Sequence, residues 1–273
     1  MDERRVRVEV GEHVATVTLA RPDKHNALDE PMFTAILAAA EDLAATPAVR
    51  VVVLHGEGKS FCSGLDVSSM LSAQAGVAGL EELGRGEVPN RFQRVAYEWV
   101  TLPVPVIAAI HGNCLGGGLQ IALGADIRVA APDARLSVME VKWGLIPDMA
   151  ISQTLPRLVG LDVAAELTFT GRVVTGEEAL ALGLVTRLAA DPLAAARELA
   201  AQIAARSPDA VRGAKRLLHA AWGAPPAQTL ALEAEIQRQL IGSPNQVAAV
   251  MAGMSGRPPE FTDPAEPARA GGG

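Results

Sequence analysis

The chain has 273 residues, 49% of them hydrophobic and 20% charged, which is enough for one large domain with a substantial core and excludes wholesale disorder. Its formal net charge of −7, from 24 basic and 31 acidic residues, argues against a general nucleic-acid binder, although local basic clusters can still hold a phosphorylated ligand. The opening "MDERRVRVEV" is charged where a secretory leader needs an apolar run, and no segment reaches membrane-spanning length, so a cytoplasmic protein without membrane partners is expected.

Taken in chain order, "VRVEV" and "VATVTLA" are predicted strands joined by a Gly-Glu-His turn as a hairpin. Asp29 is the predicted N-cap of a helix with Pro31 in its first turn and Met32, Ile36, Leu37, Ala40 and Leu43 on one face. The unbroken apolar runs Val49–Gly56 and Val104–Gly112 suit strands buried on both faces, as in a parallel sheet. The polar, Gly-rich stretch Leu71–Asn90 has no assignment. "ADIRVAA" and "ARLSVM" supply two more short strands. From Gly160 the pattern is helical, with Thr175 and Glu178 as a capping box and Ser207-Pro208 opening a further helix. The end, "SGRPPEFTDPAEPARAGGG", loses periodicity and is expected to be a mobile tail. The fold class is therefore α/β: a strand–helix core to about residue 160 and a helical C-terminal region.

Three consecutive glycines in "HGNCLGGGLQIALGADIRV" stand between apolar segments. Glycine costs conformational entropy but lets a ligand approach bare backbone N–H groups. The run fits no dinucleotide fingerprint, since the sixth position from Gly116 is Ile121, and the chain has no P-loop, nucleophile elbow or His-Glu-x-x-His. A bland alternative is tight helix–strand packing. Upstream, "GEGKSFCSGLDVSSM" also places a glycine-bearing loop after a buried strand. The two loops can present N–H groups on one edge of a sheet, and two such donors aimed at one oxygen make an oxyanion hole. Cys62 and Cys114 form neither a disulfide framework nor a metal-ligand spacing, so no metal is expected; as small apolar fillers they need no chemistry. His111, beside the glycines, is either catalytic or a hydrogen-bonded histidine at a strand end.

From about residue 5 to residue 262 the sequence resembles the enoyl-CoA hydratase/isomerase, or crotonase, family. The likeness is carried in order by "RPDKHNALDEPM", "GKSFCSGLDV", "AAIHGNCLGGGLQIALGADIRVAA", "GLIPDMAISQTLPRLVG" and "TGRVVTGEEALALGLV". The resemblance implies a crotonase-like spiral of ββα turns over 1–200, a C-terminal helical trimerisation region over 201–262 and a disordered tail over 263–273. It implies an acyl-CoA substrate, with coenzyme A as part of that substrate rather than a cofactor, and a homotrimer or dimer of trimers. Residue by residue, the oxyanion donors fall on the backbone N–H groups of Leu65 and Gly117, with Gly116 and Gly118 freeing the backbone to turn into the helix.

The family's hydratases use two glutamates to hold one water. The first position is Gln120 here, which can hydrogen-bond a water but cannot take its proton as a carboxylate does; the second is Glu140. A single glutamate at this site matches several enoyl-CoA isomerases. Asp148, eight residues on, has the separation seen in dienoyl-CoA isomerases, although those carry an aspartate where Gln120 stands; its bland alternative is an N-cap after Pro147. By the same resemblance Trp143 either lines the acyl tunnel or fills core, and Lys24, Lys59 and Lys215 are candidates for the CoA phosphates. The expected enzyme is an isomerase of unsaturated acyl-CoA thioesters, with a hydratase as the alternative and a weakly catalytic CoA-ester-binding subunit as the second.

Overall fold

Strand β1 (Val6–Gly11) folds back on β2 (Val14–Leu19), with Val6 opposite Leu19 and Gly11 opposite Val14. The turn narrows to Glu12 and His13, both at positive φ (49° and 67°), the backbone that two-residue hairpin loops require. The computed structural model describes residues 4–66, 81, 83 and 86–264; residues 265–273 of the expected 263–273 tail and most of the unassigned stretch lie outside the described residues.

Strand β2 continues into a parallel array with β3 (Val51–Gly56), β4 (Val106–Ile110), β6 (Ile127–Ala130) and β9 (Arg187–Leu188), in the order β1-β2-β3-β4-β6-β9. A second sheet joins β5 (Asn113–Leu115) and β7 (Arg135–Ser137) in parallel, with β8 (Val174–Thr175) antiparallel to β7. Alternate residues of the large sheet serve two cores. Val52, Leu54, Val106, Ala108 and Ile110 face the main core, whereas Val51, Val53, Ile107, Ala109 and Val129 face Ala196, Ala200 and Ala204 of a covering helix. This two-sided burial is why the strands read as unbroken apolar runs. The alanine stripe, one residue every four, lets the helix lie close to the sheet.

Ten helices pack around these sheets among the described residues. Helix α1 (Glu30–Ala44) starts as expected, the Asp29 side chain accepting from Met32 N–H, and buries Met32, Phe33, Ile36, Leu37 and Leu43. Helix α2 (Arg91–Thr101) falls where no element was expected; its signal is the reciprocal capping box of Asn90 and Gln93. Then come α3 (Gly117–Leu123), α4 (Ile151–Thr154), α5 (Leu161–Thr170), α6 (Gly176–Leu182), α7 (Pro192–Ala204), α8 (Pro208–Ala221), α9 (Pro226–Leu240) and α10 (Pro244–Ser255). The covering helix is α7, which crosses position 200, the expected edge of the spiral core. Two expectations need correction. The chain beyond 160 is not purely helical, since β8 and β9 return to both sheets, and the box at α6 is half-formed. Thr175 accepts from Glu178 N–H, but the Glu178 carboxylate is drawn to Arg172. Ser207 caps α8 as expected.

The C-terminal segment is tied back to the sheet by Arg50, which donates to the carbonyls of Ala204 and Phe261 and to the Asp263 carboxylate. No described helix is long and apolar enough to cross a membrane, and no group of metal-ligating side chains occurs among the described residues.

Candidate active site

The first glycine loop is strung between two supports. Cys62 bridges Cys114 of β5, its N–H donating to Asn113 O (3.0 Å) and its carbonyl accepting from Leu115 N–H (3.0 Å). Leu65 forms a parallel bridge with Leu28: Leu28 N–H donates to Gly64 O (2.8 Å) and Asp66 N–H to Leu28 O (2.9 Å). In such a bridge the N–H of Leu65 points away from Leu28. Gly64, at φ +89°, is what permits the close approach, because a Cβ there would lie 2.8 Å from Leu115 O and 3.7 Å from Gly117 N. The amides of Leu65 and Gly117 thus belong to neighbouring backbone, and neither donates to a described backbone carbonyl.

Each glycine of the triplet has its own cause. Gly116 has φ +53°, which a side chain rarely adopts, and a Cβ on it would stand 3.2 Å from Glu140 Oε1. At Gly117 a Cβ would meet Leu28 Cδ1 and Met149 Sδ at 2.9 Å; at Gly118 it would meet the Cys62 carbonyl oxygen at 2.5 Å. Gly118 is therefore a packing requirement against the first loop, not only a release of the backbone into α3. The loop's base is organised by Asn26, fully buried, whose Nδ2 donates to the carbonyls of Glu57, Ser60 and Phe61 while Oδ1 accepts from Arg21 N–H. Sequence reasoning overlooked Asn26; its signal is an asparagine at positive φ (56°) between a polar turn and a helix cap.

Glu140 opens the 3₁₀ turn Glu140–Trp143 just after β7 and is only 8% exposed. Gln120, in α3 and 1% exposed, donates from Nε2 to Glu140 Oε1 at 2.6 Å, and its Oε1 accepts from Met149 N–H at 2.9 Å. Glu140 Oε2 is buried without a partner. Burial pushes the Glu140 carboxyl above its ordinary pKa and the charge of Asp148 adds to that push, against the nearby backbone N–H groups of Glu140 and Met139 and the Gln120 hydrogen bond. Partial desolvation of its carboxyl also raises Asp148, although the residue as a whole is exposed. The N-cap alternative for Asp148 is excluded: the next helix starts at Ile151, its N-cap is Ala150 at φ 61°, and no side chain caps it. Met149, which touches both Gly117 and Gln120, was not foreseen; no local pattern marks it.

The other expected residues divide. Trp143 is 61% exposed, with Leu145 and Ile146 exposed beside it, so it does not fill core. Lys24 and Lys59 are exposed on the segments that buttress the Leu65 loop, where Ser63 Oγ donates to Lys24 O. Lys215 is a correction. It is buried, its ammonium donating to the carbonyls of Trp99 and Val104 and pairing with Asp126 at 2.8 Å, so it faces no phosphate in this chain. Asp126 also receives His219 Nε2 at 2.7 Å. His111 has the bland role, with Nε2 on Gly58 O. Both cysteines are buried free thiols; burial drives the Cys62 thiol up to about 12 and Cys114 well above its usual value, which removes them as nucleophiles.

Comparison with known proteins identifies the family. The enoyl-CoA hydratase/isomerase family model matches residues 9–264. YngF of Bacillus subtilis (strain 168), named for the same hydratase/isomerase class, is 39% identical over 233 residues, covering 84% of this chain and 87% of the relative. The mitochondrial Delta(3,5)-Delta(2,4)-dienoyl-CoA isomerase of Rattus norvegicus is 38% identical over 212 residues, covering 74% of this chain and 64% of its own length. Among solved structures, an enoyl-CoA hydratase from Bacillus anthracis superposes with a TM-score of 0.86 at 28% identity, covering 94% of this chain and 98% of that one. With sequence and fold both matched over nearly the whole length, the chain belongs to the enoyl-CoA hydratase/isomerase family.

Proposed function

We propose that the protein isomerises unsaturated acyl-CoA thioesters, with Glu140 moving the proton. The N–H groups of Leu65 and Gly117 receive the thioester oxygen as it becomes enolate-like, a form of stabilisation worth about 2.7–4 kcal/mol per donor. Glu140 Oε2 removes a proton from the carbon next to the thioester of a 3-enoyl substrate. The C–H electrons enter the enolate and then form the double bond next to the thioester, while the electron pair of the old double bond takes up the proton that the same carboxyl returns two carbons further on. No water is consumed. Asp148 serves as a second carboxylate when the substrate is a longer conjugated diene.

The observation that carries this reading is the state of the two carboxylate positions. Glu140 keeps one buried oxygen without a partner, whereas the other position is Gln120, whose amide cannot act as an acid or base at neutral pH and is already engaged on both sides. Similarity to the rat dienoyl-CoA isomerase supports it. Lys24 and Lys59 are the proposed partners of the CoA phosphates, and Trp143 of the acyl group; a homotrimer or dimer of trimers is the proposed assembly. Two free thiols on residues paired through their backbones, Cys62 and Cys114, suit a reducing cytoplasm.

The test is a substrate panel of crotonyl-CoA, a 3-enoyl-CoA and a 3,5-dienoyl-CoA. Turnover of either of the last two well above crotonyl-CoA hydration is expected. Hydration as the dominant activity would assign a hydratase instead, and binding without turnover a CoA-ester-binding subunit.

A further inference from the structure

The side-chain amide of Gln120 has one orientation open to it. Met149 N–H can only donate, so Gln120 Oε1 must face it, and Nε2 is left to face Glu140 Oε1. The reverse orientation would set an amide oxygen against a carboxylate and an amide N–H against another N–H. Rotation is further restricted by burial, since Gln120 is 1% exposed and flanked in α3 by buried Leu119 and Ile121. Gly116 leaves room for Glu140 Oε1, since a Cβ there would stand 3.2 Å from it.

We propose that Gln120 is a positioning residue: one amide fixes both the Glu140 carboxylate and the backbone that carries Asp148, leaving Glu140 Oε2 as the oxygen that exchanges the proton. Gln120 touches Glu140 through its donor and the peptide following Asp148 through its acceptor, so the Glu140 carboxylate and the backbone that carries Asp148 are held by one side chain. The idea rests on Glu140 being the proton-transfer group proposed above, but it concerns how that group is held.

The chemistry of substitution at this position is distinctive. Methionine keeps most of the volume and removes both hydrogen bonds. A glutamic acid can accept from Met149 N–H with one oxygen and donate its O–H to Glu140 with the other, reproducing the amide while it is protonated. Once ionised it opposes Glu140 across a hydrogen-bond distance.

Steady-state kinetics against pH, on whichever panel substrate the wild-type enzyme turns over, decides the matter. Q120M should lower kcat about 10–100-fold with KM within about threefold, as expected when a catalytic group is misplaced and substrate binding is left intact. Its acid limb should move to higher pH, because the ionised carboxylate no longer has that donor. Q120E should recover most of the isomerisation kcat on the acid side and lose it as pH rises. Wild-type kcat and pH profile in Q120M, or a Q120E that tracks Q120M at every pH, overturns the proposal. If Q120M does not fold, Q120E decides it: a kcat near wild type on the acid side that falls as pH rises supports the proposal, and a kcat that stays low at every pH overturns it. If the wild-type enzyme isomerises nothing in the panel, the functional reading fails. The positioning role is then decided without substrate, by ¹³C-carboxyl NMR titration with the Glu140 signal assigned by E140Q. An upward shift in Q120M supports it, and an unchanged titration overturns it.

Discussion

Gly118 rests directly on Cys62: a Cβ at residue 118 would stand 2.5 Å from the Cys62 carbonyl oxygen and 2.9 Å from its sulfur. The contact joins the first turn of α3 to the loop that carries Leu65. Gly118→Ala must push the two apart, which costs about 1–3 kcal/mol as overpacking and enlarges the gap between the Leu65 and Gly117 amides. Chemical denaturation should show the loss, and kcat should fall in the folded protein. Gly253→Ala is the control. Gly253 is exposed within α10 with nothing near its missing Cβ, so the change should stabilise by about 0.4–1 kcal/mol. Equal effects at the two sites would refute the packing account.

Glu140→Gln removes the base and keeps the shape, so turnover should drop about 10²–10⁴-fold while calorimetry still registers acyl-CoA binding. Stability should move the other way. The folded pKa of Glu140 is raised by burial, so the native state prefers the protonated form and loses stability as pH climbs from the ordinary carboxyl range through that raised value. The variant should therefore melt higher than wild type at neutral pH, with the difference vanishing in acid, where the carboxyl is protonated in both states. A lower melting temperature at neutral pH contradicts the sign.

Asp148 caps no helix and its carboxyl, like that of Glu140, is held above the ordinary range, so Asp148→Asn should leave the melting temperature at neutral pH unchanged or slightly raised, never lowered. On a 3,5-dienoyl-CoA it should depress kcat strongly; on a 3-enoyl-CoA, little. Equal, small effects on both substrates would remove Asp148 from the reaction.

Lys215 and Asp126 give a stability test with no catalytic content. Burial alone would raise the Asp126 carboxyl, but His219 and Lys215 outweigh it and hold the group below the usual carboxylate range. Its contribution is present above the ordinary pKa and lost as pH falls through the lowered folded value. Asp126→Asn strands a buried ammonium and should cost about 3–5 kcal/mol at neutral pH, with the deficit shrinking in strong acid. Thermal melts across pH check this. Lys215→Met should likewise alter stability and leave CoA affinity of the folded protein intact, whereas Lys24→Ala with Lys59→Ala should weaken that affinity in a salt-dependent way.

What the sequence revealed was local. A cap such as Asp29 or Ser207 is decided within four residues, and the two-sided burial of β3 and β4 is written in their unbroken apolar runs. The glycine loops and Glu140 were legible because the family's motifs carry them. Lys215 was misread because its partner, Asp126, lies on another element, and a buried pair looks like two surface charges in one dimension. Gln120 was read as a missing acid, whereas its role as a tether depends on Met149, which carries no pattern. Helix α2 was legible in Asn90 and Gln93 but obscured by the polar stretch before it.

The bridges around Leu65 have a kinetic consequence. The Leu65 peptide is flanked by residues hydrogen-bonded on both sides, Gly64 O and Asp66 N–H to Leu28, with Cys62 held to β5 just upstream. The peptide that carries the Leu65 N–H also carries Gly64 O, so it cannot flip without breaking the bond from Leu28 N–H, and the next peptide is held by Asp66 N–H. Its N–H is aimed before any ligand arrives, so acyl-CoA should associate in a single exponential phase whose rate rises linearly with concentration, without the saturating phase of a site that assembles around its substrate.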